Sequence, residues 1–191
     1  MACGPELGGT GTIVGNIVNE QGFVWPGGTI YEDVWLGVLT VSGTFQQQAD
    51  GALYIELGGP TVGECCALHL TGAAALNGEL RMLTVSGFVP QPGQEFEVLT
   101  AASVTGEFSS VTGDERYCVA YEPTRVTVAL AAAGDCDADC DVDADDMIWL
   151  LECVGGPEVA VSARCQCADA DTDTDVDLAD FAALQTRATA G

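Results

Sequence analysis

From Gly11 to about Leu130, apolar and polar residues alternate in short runs that glycine interrupts every few positions. The runs are TIVGNIV, GVLTVSGTF, GALYIEL, ALHLTG, ELRMLTVSGF, EFEVLTA and RVTVAL. A period of two puts every second side chain on one face of an extended chain, so these segments predict β-strands. Gly27-Gly28, Gly58-Gly59 and Pro92-Gly93 mark turns between them. Beyond Gly134 the period changes. Met147, Leu150, Leu151 and Val154 fall on one helical face, as do Phe181, Leu184 and Ala188, which predicts two short helices. The change follows the small-residue joint Ala131 to Gly134 and divides the chain into 1–131 and 132–191. The expected fold class is mainly β with a small α tail.

The β part repeats itself. Leu-x-(Val or Leu)-x-Gly occurs at Leu39 to Gly43, Leu68 to Gly72 and Leu83 to Gly87. Recurring strands with matching inward positions predict stacked coils of a β-solenoid; an antiparallel sandwich or jelly roll fits the same alternation.

The tail carries the sharpest pattern. Asp135, Asp137, Asp139, Asp141, Asp143 and Asp146 hold the first, third, fifth, seventh, ninth and twelfth places of DCDADCDVDADD. Thirty-four residues on, Asp169, Asp171, Asp173, Asp175, Asp177 and Asp180 hold the same places of DADTDTDVDLAD. This is the ligand spacing of an EF-hand calcium loop, in which side chains at places 1, 3, 5, 9 and 12 and the carbonyl at place 7 supply hard oxygens. Without a cation the arrangement is costly: two carboxylates about 6 Å apart at an effective dielectric of about 20 repel by roughly 3 kcal/mol. The expectation is two Ca²⁺ ions, one per loop. Val142 and Val176, both at the eighth place, are expected to point inward and pair with each other. An acidic, solvated, disordered tail is the bland alternative, but such a tract has no reason to repeat its phase, its valine and its following helix. Place 6 departs from the pattern, holding Cys140 and Thr174 where Gly permits the turn. Positive φ there costs about 1 kcal/mol, more at β-branched Thr174, so binding is expected to be weaker than the carboxylate count suggests, with the second loop the weaker candidate. Place 12 is Asp rather than Glu, which shortens its reach.

Composition narrows the partners. The chain has 29 acidic residues against 5 basic ones, all Arg, and 15 of the acidic residues lie from Gly134 onward. That field disfavours nucleic acid and anionic membrane surfaces and favours cations and basic surfaces. No apolar stretch approaches membrane-span length, so no membrane insertion is expected. Nine cysteines beside calcium-type loops point to an oxidising, extracellular or cell-surface setting. Cys165 and Cys167 with Cys153 predict a staple between the two repeats; a zinc site from Cys153, Cys165, Cys167 and Cys136 or Cys140 is the alternative. MACGPELGGTG lacks the charge and apolar run of a signal peptide, so an extracellular chain would be a domain of something longer.

Catalytic chemistry is not legible. The single histidine, His69, sits between Leu68 and Leu70 and is expected on the opposite face from them. Cys65-Cys66 reads as a structural pair or a vicinal disulfide. Glu56, Glu79, Glu95 and Glu97 could in principle supply a carboxylate pair for sugar cleavage, but nothing selects one. Trp25, Tyr31 and Trp35 could stack on sugar rings or on the neighbouring coil.

Two resemblances add to this reading. GTIVGNIVNEQGFVWPGG, LTVSGTFQQQADGALYIELGG and the stretch from LHLTG to TGEF, together spanning roughly Gly8 to Leu130, resemble the closing coils of right-handed β-helices of bacterial autotransporter-passenger type. That implies a surface-exposed or secreted β-helix whose last coils act as a cap. DCDADCDVDADDMIWLLECV and DADTDTDVDLADFAALQTRA resemble a type I dockerin, which implies helices that dock on a cohesin-like module of another protein. In that family loop places 10 and 11 contact the partner; here they are Ala144-Asp145 and Leu178-Ala179, without the family's common hydroxyl pair. Thrombospondin-type aspartate repeats share the spacing, but the apolar helices after each loop favour the dockerin-like reading. The expected function is a non-catalytic, calcium-ordered docking or anchoring module on a β-helix stalk. The alternatives are the C-terminal part of a secreted polysaccharide-degrading enzyme and an adhesin-type passenger that binds glycans or surfaces.

Overall fold

A computed structural model describes the chain except residues 1–5, 31–32, 60, 62, 92–93, 114–115, 138 and 189–191; the side chains at 28–30, 33–35 and 163 also lie outside the described set. The chain divides into two compact units, Met1–Leu130 and Ala131–Gly191.

The first unit is a β-solenoid of about three turns. Strands β1 (Glu6–Gly9), β2 (Gly11–Val14) and β3 (Ile17–Asn19) begin it. After β4 (Phe23–Pro26) the chain leaves the coil through a hairpin, β5 (Gly28–Ile30) and β6 (Asp33–Trp35). It returns at β7 (Val38–Ser42) and β8 (Phe45–Gln47). Two regular coils follow: β9 (Ala52–Leu57), β10 (Ala67–Leu70) and β11 (Ala73–Leu76), then β12 (Glu79–Thr84), β13 (Glu95–Thr100) and β14 (Ser103–Gly106). Three parallel stacks result, β1-β4-β9-β12-β15, β2-β7-β10-β13 and β3-β8-β11-β14, with β15 at Ser110–Gly113. The hairpin β16 (Tyr117–Glu122) and β17 (Arg125–Leu130) closes the unit, β17 pairing antiparallel with β13.

The alternation of the sequence becomes columns in the stack. Leu39, Leu68 and Leu99 are in register and buried. Thr40, His69 and Thr100 form the matching outward column. Val24, Leu53 and Leu80 do the same inside the first sheet. Each such buried side chain contributes about 1.5–3 kcal/mol. At one corner a buried polar ladder replaces the apolar column: the Asn19 amide donates to Gln47 Oε1 at 3.3 Å, and the Gln47 amide donates to the carbonyls of Asn77 and Glu79 at 2.7 and 3.0 Å. Another corner needs glycine. A Cβ on Gly43 would lie 2.2 Å from the Gly15 carbonyl oxygen, and one on Gly72 would lie 2.5 Å from that of Gly43. No side chain fits where successive backbones approach this closely.

Two expectations change. The third Leu-x-Val-x-Gly phrase, at Leu83, is not a third member of the Leu39 and Leu68 column. It continues β12, where Leu83 pairs with Glu56, and Leu99 occupies the column instead. Pro92-Gly93 lies outside the described residues.

The second unit has helices α1 (Ala144–Cys153) and α2 (Leu178–Ala188), with a short 3-10 helix at Ala163–Ala168 between them. Leu150, Ala168, Ala170, Val176 and Leu184 form its core, with Met147, Val142 and Cys153 packed against it. The helical faces are narrower than their periodicity implied. Leu151 is 73% exposed, and Val154 and Phe181 also face solvent. In a core this small the stripe is completed by Cys153, whose disulfide to Cys165 ties α1 to the 3-10 helix. A second disulfide, Cys136–Cys167, joins the first loop to the entrance of the second. The expected staple is therefore formed by two bridges, and the zinc alternative is overturned because these thiols are oxidised. Cys118 and Cys140 are disulfide-bonded as well. Cys65 and Cys66 are buried free thiols, which corrects the vicinal disulfide.

Candidate metal centre

The two aspartate loops share one hydrogen-bond plan centred on place 12. Asp146 Oδ1 accepts the backbone N–H of Cys136 at 2.6 Å and that of Asp137 at 3.4 Å, while Oδ2 accepts that of Asp143 at 2.8 Å. Asp180 repeats this with Ala170 at 2.7 Å, Asp171 at 3.2 Å and Asp177 at 2.7 Å. Place 9 caps each helix: Asp143 accepts from Asp145 N–H and Asp177 from Ala179 N–H, both at 2.7 Å. A carboxylate at a helix N-terminus also meets the favourable end of the helix dipole. The side chains at places 12 and 9 thereby fold the loop back onto the first turn of its helix.

The sixth place takes the conformation the motif demands. Cys140 has φ 78° and Thr174 has φ 80°, both in the left-handed region glycine usually serves. The valines point inward, as expected. Val142 and Val176 reach the same core, but the Val176 carbonyl accepts from the Gly155 and Gly156 N–H groups at 3.0 and 3.1 Å rather than from its counterpart's backbone. These bonds tie the turn after α1 to the second loop.

Carboxylate oxygens gather on both sides of the place-12 residue. In the first loop Asp135, Asp137 and Asp146 each offer an oxygen within 4.8 Å of the others, as do Asp141, Asp143 and Asp146. In the second loop the same holds for Asp169, Asp171 and Asp180 and for Asp175, Asp177 and Asp180. Asp139 and Asp173, at place 5, are exposed and accept from the Asp141 and Asp175 N–H groups instead.

The electrostatics fit a cation. Asp137 and Asp171 have their carboxyls raised above the usual value first by desolvation and then by neighbouring aspartates. Asp141 is raised first by the charge of Asp139, then by desolvation. Asp135, Asp146, Asp175 and Asp180 are buried. Asp175 Oδ1 has no hydrogen-bond partner, and an oxygen left this way costs about 1–3 kcal/mol or more. The donor set is all carboxylate oxygen, which suits a hard divalent ion and not a soft one. Residues and group fit.

The remaining candidates do not assemble into a second centre. Glu79 pairs with Arg81 at 3.0 Å on β12, whereas Glu95 and Glu97 lie on β13 in a different sheet, and Glu56 is buried on β9. His69 is exposed with its Nδ1 against Thr100 Oγ1, and it shares with Glu95 and Glu97 a groove of about 390 Å³. Trp25 packs at 5.8 Å from Tyr54, which also meets Phe23 at 5.0 Å and lies under the Arg81 guanidinium at 5.1 Å. Tyr31 and the Trp35 side chain lie outside the described residues. Sequence reasoning missed this Tyr54–Arg81 stack because its members come from separate coils. Among the described residues no helix is long and apolar enough to cross a membrane.

No family model, curated protein or solved structure matches this chain. The functional reading therefore rests on the site itself.

Proposed function

We propose that the tail is a calcium-ordered docking module attached to a β-solenoid stalk, working outside the cell. The observation that carries this reading is the duplicated loop: two segments thirty-four residues apart hold the same carboxylate plan, the same left-handed sixth residue and paired oxygen clusters on one shared aspartate. Each closed loop orders the start of its helix, so ion binding is coupled to the shape of the helical surface. The places that contact a partner in dockerins, Ala144-Asp145 and Leu178-Ala179, are exposed, and Leu178 is 81% so. A cohesin-like module with a basic rim would suit the apolar residues Ile148, Leu151, Leu178 and Phe181 set in an acidic surround. Disulfides in this unit accord with an extracellular or cell-surface location, since such bonds persist in oxidising compartments.

Calcium titration of the intact chain, followed by far-ultraviolet circular dichroism and calorimetry, tests the mechanism. Helical signal and heat should both change with added ion and revert on chelation. Indifference of both would end the proposal.

A second reading, binding of polysaccharide by the solenoid, is favoured by the Phe23, Trp25, Tyr54 and Arg81 stack on its outer face. Affinity electrophoresis in gels containing soluble polysaccharides, comparing the protein with Tyr54→Ala, would detect it. This reading corresponds to the adhesin alternative.

A further inference from the structure

We infer that the side chain of Asp175 is itself a calcium ligand and that the second loop is the tighter of the two ion sites. The inference rests on the calcium reading above and reverses the order that Thr174 at place 6 suggests. In an EF-hand loop the seventh residue lends only its backbone carbonyl, and its side chain faces away. Here Asp175, in that place, is only 8% exposed. The Glu158 backbone N–H donates to its Oδ2 at 2.6 Å, and this contact fixes the carboxylate from outside the loop. Glu158 sits in the turn after α1, beside Gly156, which bridges to Val176. The other oxygen, Oδ1, is buried without a partner. Asp175, Asp177 and Asp180 each offer an oxygen within 4.8 Å of the others, so the carboxylate stands in the cluster and not beside it.

The first loop lacks this arrangement. Asp141, its seventh residue, is exposed. It must lose rotamer freedom and water on binding, whereas Asp175 is already ordered and dehydrated. Preorganised ligands lose less on association, and a buried oxygen lacking a hydrogen bond gains most from an ion. The place-12 frameworks match; place 7 is buried only in the second loop and place 1, Asp135, only in the first, and of these two only Asp175 holds an oxygen that is buried without a hydrogen bond.

Calorimetric titration of the full chain with CaCl₂ in ion-stripped buffer, on the wild type, Asp175→Asn and Asp141→Asn, tests this. Two classes of site are expected. Asp175→Asn should weaken the tighter class at least tenfold, and Asp141→Asn should leave that class within about twofold. Carboxyl ¹³C resonances of the wild type give a readout independent of variant folding: the Asp175 signal should move with the first equivalent of calcium and the Asp141 signal with the second. If the wild type binds no calcium, the loop reading itself fails. If it binds, but Asp175 moves last or Asp175→Asn leaves the tight class intact, only the present inference is overturned.

Discussion

Asp180 accepts the backbone N–H of Ala170 on Oδ1 at 2.7 Å, a contact spanning ten residues that closes the second loop. The same carboxylate holds the N–H groups of Asp171 and Asp177. Its removal therefore does more than delete a ligand. Hydrogen bonds to charged acceptors contribute about 1.5–3 kcal/mol each, so Asp180→Ala should destabilise the helical unit by more than about 3 kcal/mol in calcium-free buffer. Asp173→Ala, which loses one part-buried bond from the Asp175 N–H at 3.2 Å, should cost no more than about 1.5 kcal/mol. Denaturant titration read by circular dichroism separates the two; equal losses would show that place 12 has no framework role.

Acidification should act in opposite directions with and without calcium. Asp137, Asp141 and Asp171 have raised folded-state pKa values, so without an ion the native state holds protons more tightly than the unfolded chain. Their contribution to stability then grows as pH falls from neutral towards the ordinary carboxylate value of 3.8. With calcium bound, protons compete for the same oxygens, and stability is lost over that window. Melting temperatures at about pH 7 and about pH 4.5, in ion-stripped and in calcium-saturated buffer, should change with opposite signs.

Gly72→Ala should lower the stability of the solenoid by roughly 1–3 kcal/mol, because the new methyl meets the Gly43 backbone and no flexible side chain can yield. Gly87→Ala, with φ +73° but open space around it, should cost only about 1 kcal/mol. Chemical denaturation midpoints of the two variants decide between steric overlap and dihedral strain.

Cys65 and Cys66 should resist alkylation in the folded protein. Burial is the first cause raising both thiols; the charges of Glu97 and Glu64 raise Cys65 further, and backbone hydrogen bonds only partly offset the shift at Cys66. With little thiolate present and both side chains buried, iodoacetamide should label them at least about tenfold more slowly than in guanidinium without reductant. Mass spectrometry counts the added groups.

The coils were legible in the sequence where one phrase maps onto one coil. Leu39 to Gly43 and Leu68 to Gly72 stack directly, and their glycines mark a corner. The Leu83 phrase misleads because a strand carries no label for its sheet: Leu99 takes the column without the phrase, as Leu-Thr-Ala-Ala-Ser, and only closure of the coil assigns the two to different stacks. The hairpin β16–β17 reads like any other alternating pair, and its antiparallel pairing with β13 is a tertiary choice. In the tail, spacing gave the aspartates their register but not their unequal burial, which depends on the turn carrying Glu158 against Asp175. Periodicity puts Leu151 and Phe181 on the apolar faces because it cannot tell how wide a stripe a five-residue core will cover.

The β16–β17 hairpin lies across one end of the stack, where β17 runs against β13 from Glu95 to Thr100. A parallel edge left bare would offer a ready template to a strand from any other molecule. Reversing direction there replaces it with β16, joined to β17 by a turn at which Glu122 is ion-paired to Arg125 at 2.7 Å. A foreign strand approaching that side must match an antiparallel register and strip water from charges, which discourages fibre growth from this rim. The fold thus carries a barrier to self-templating at the end of this one sheet, while β15 and β14 are the end strands of the other two.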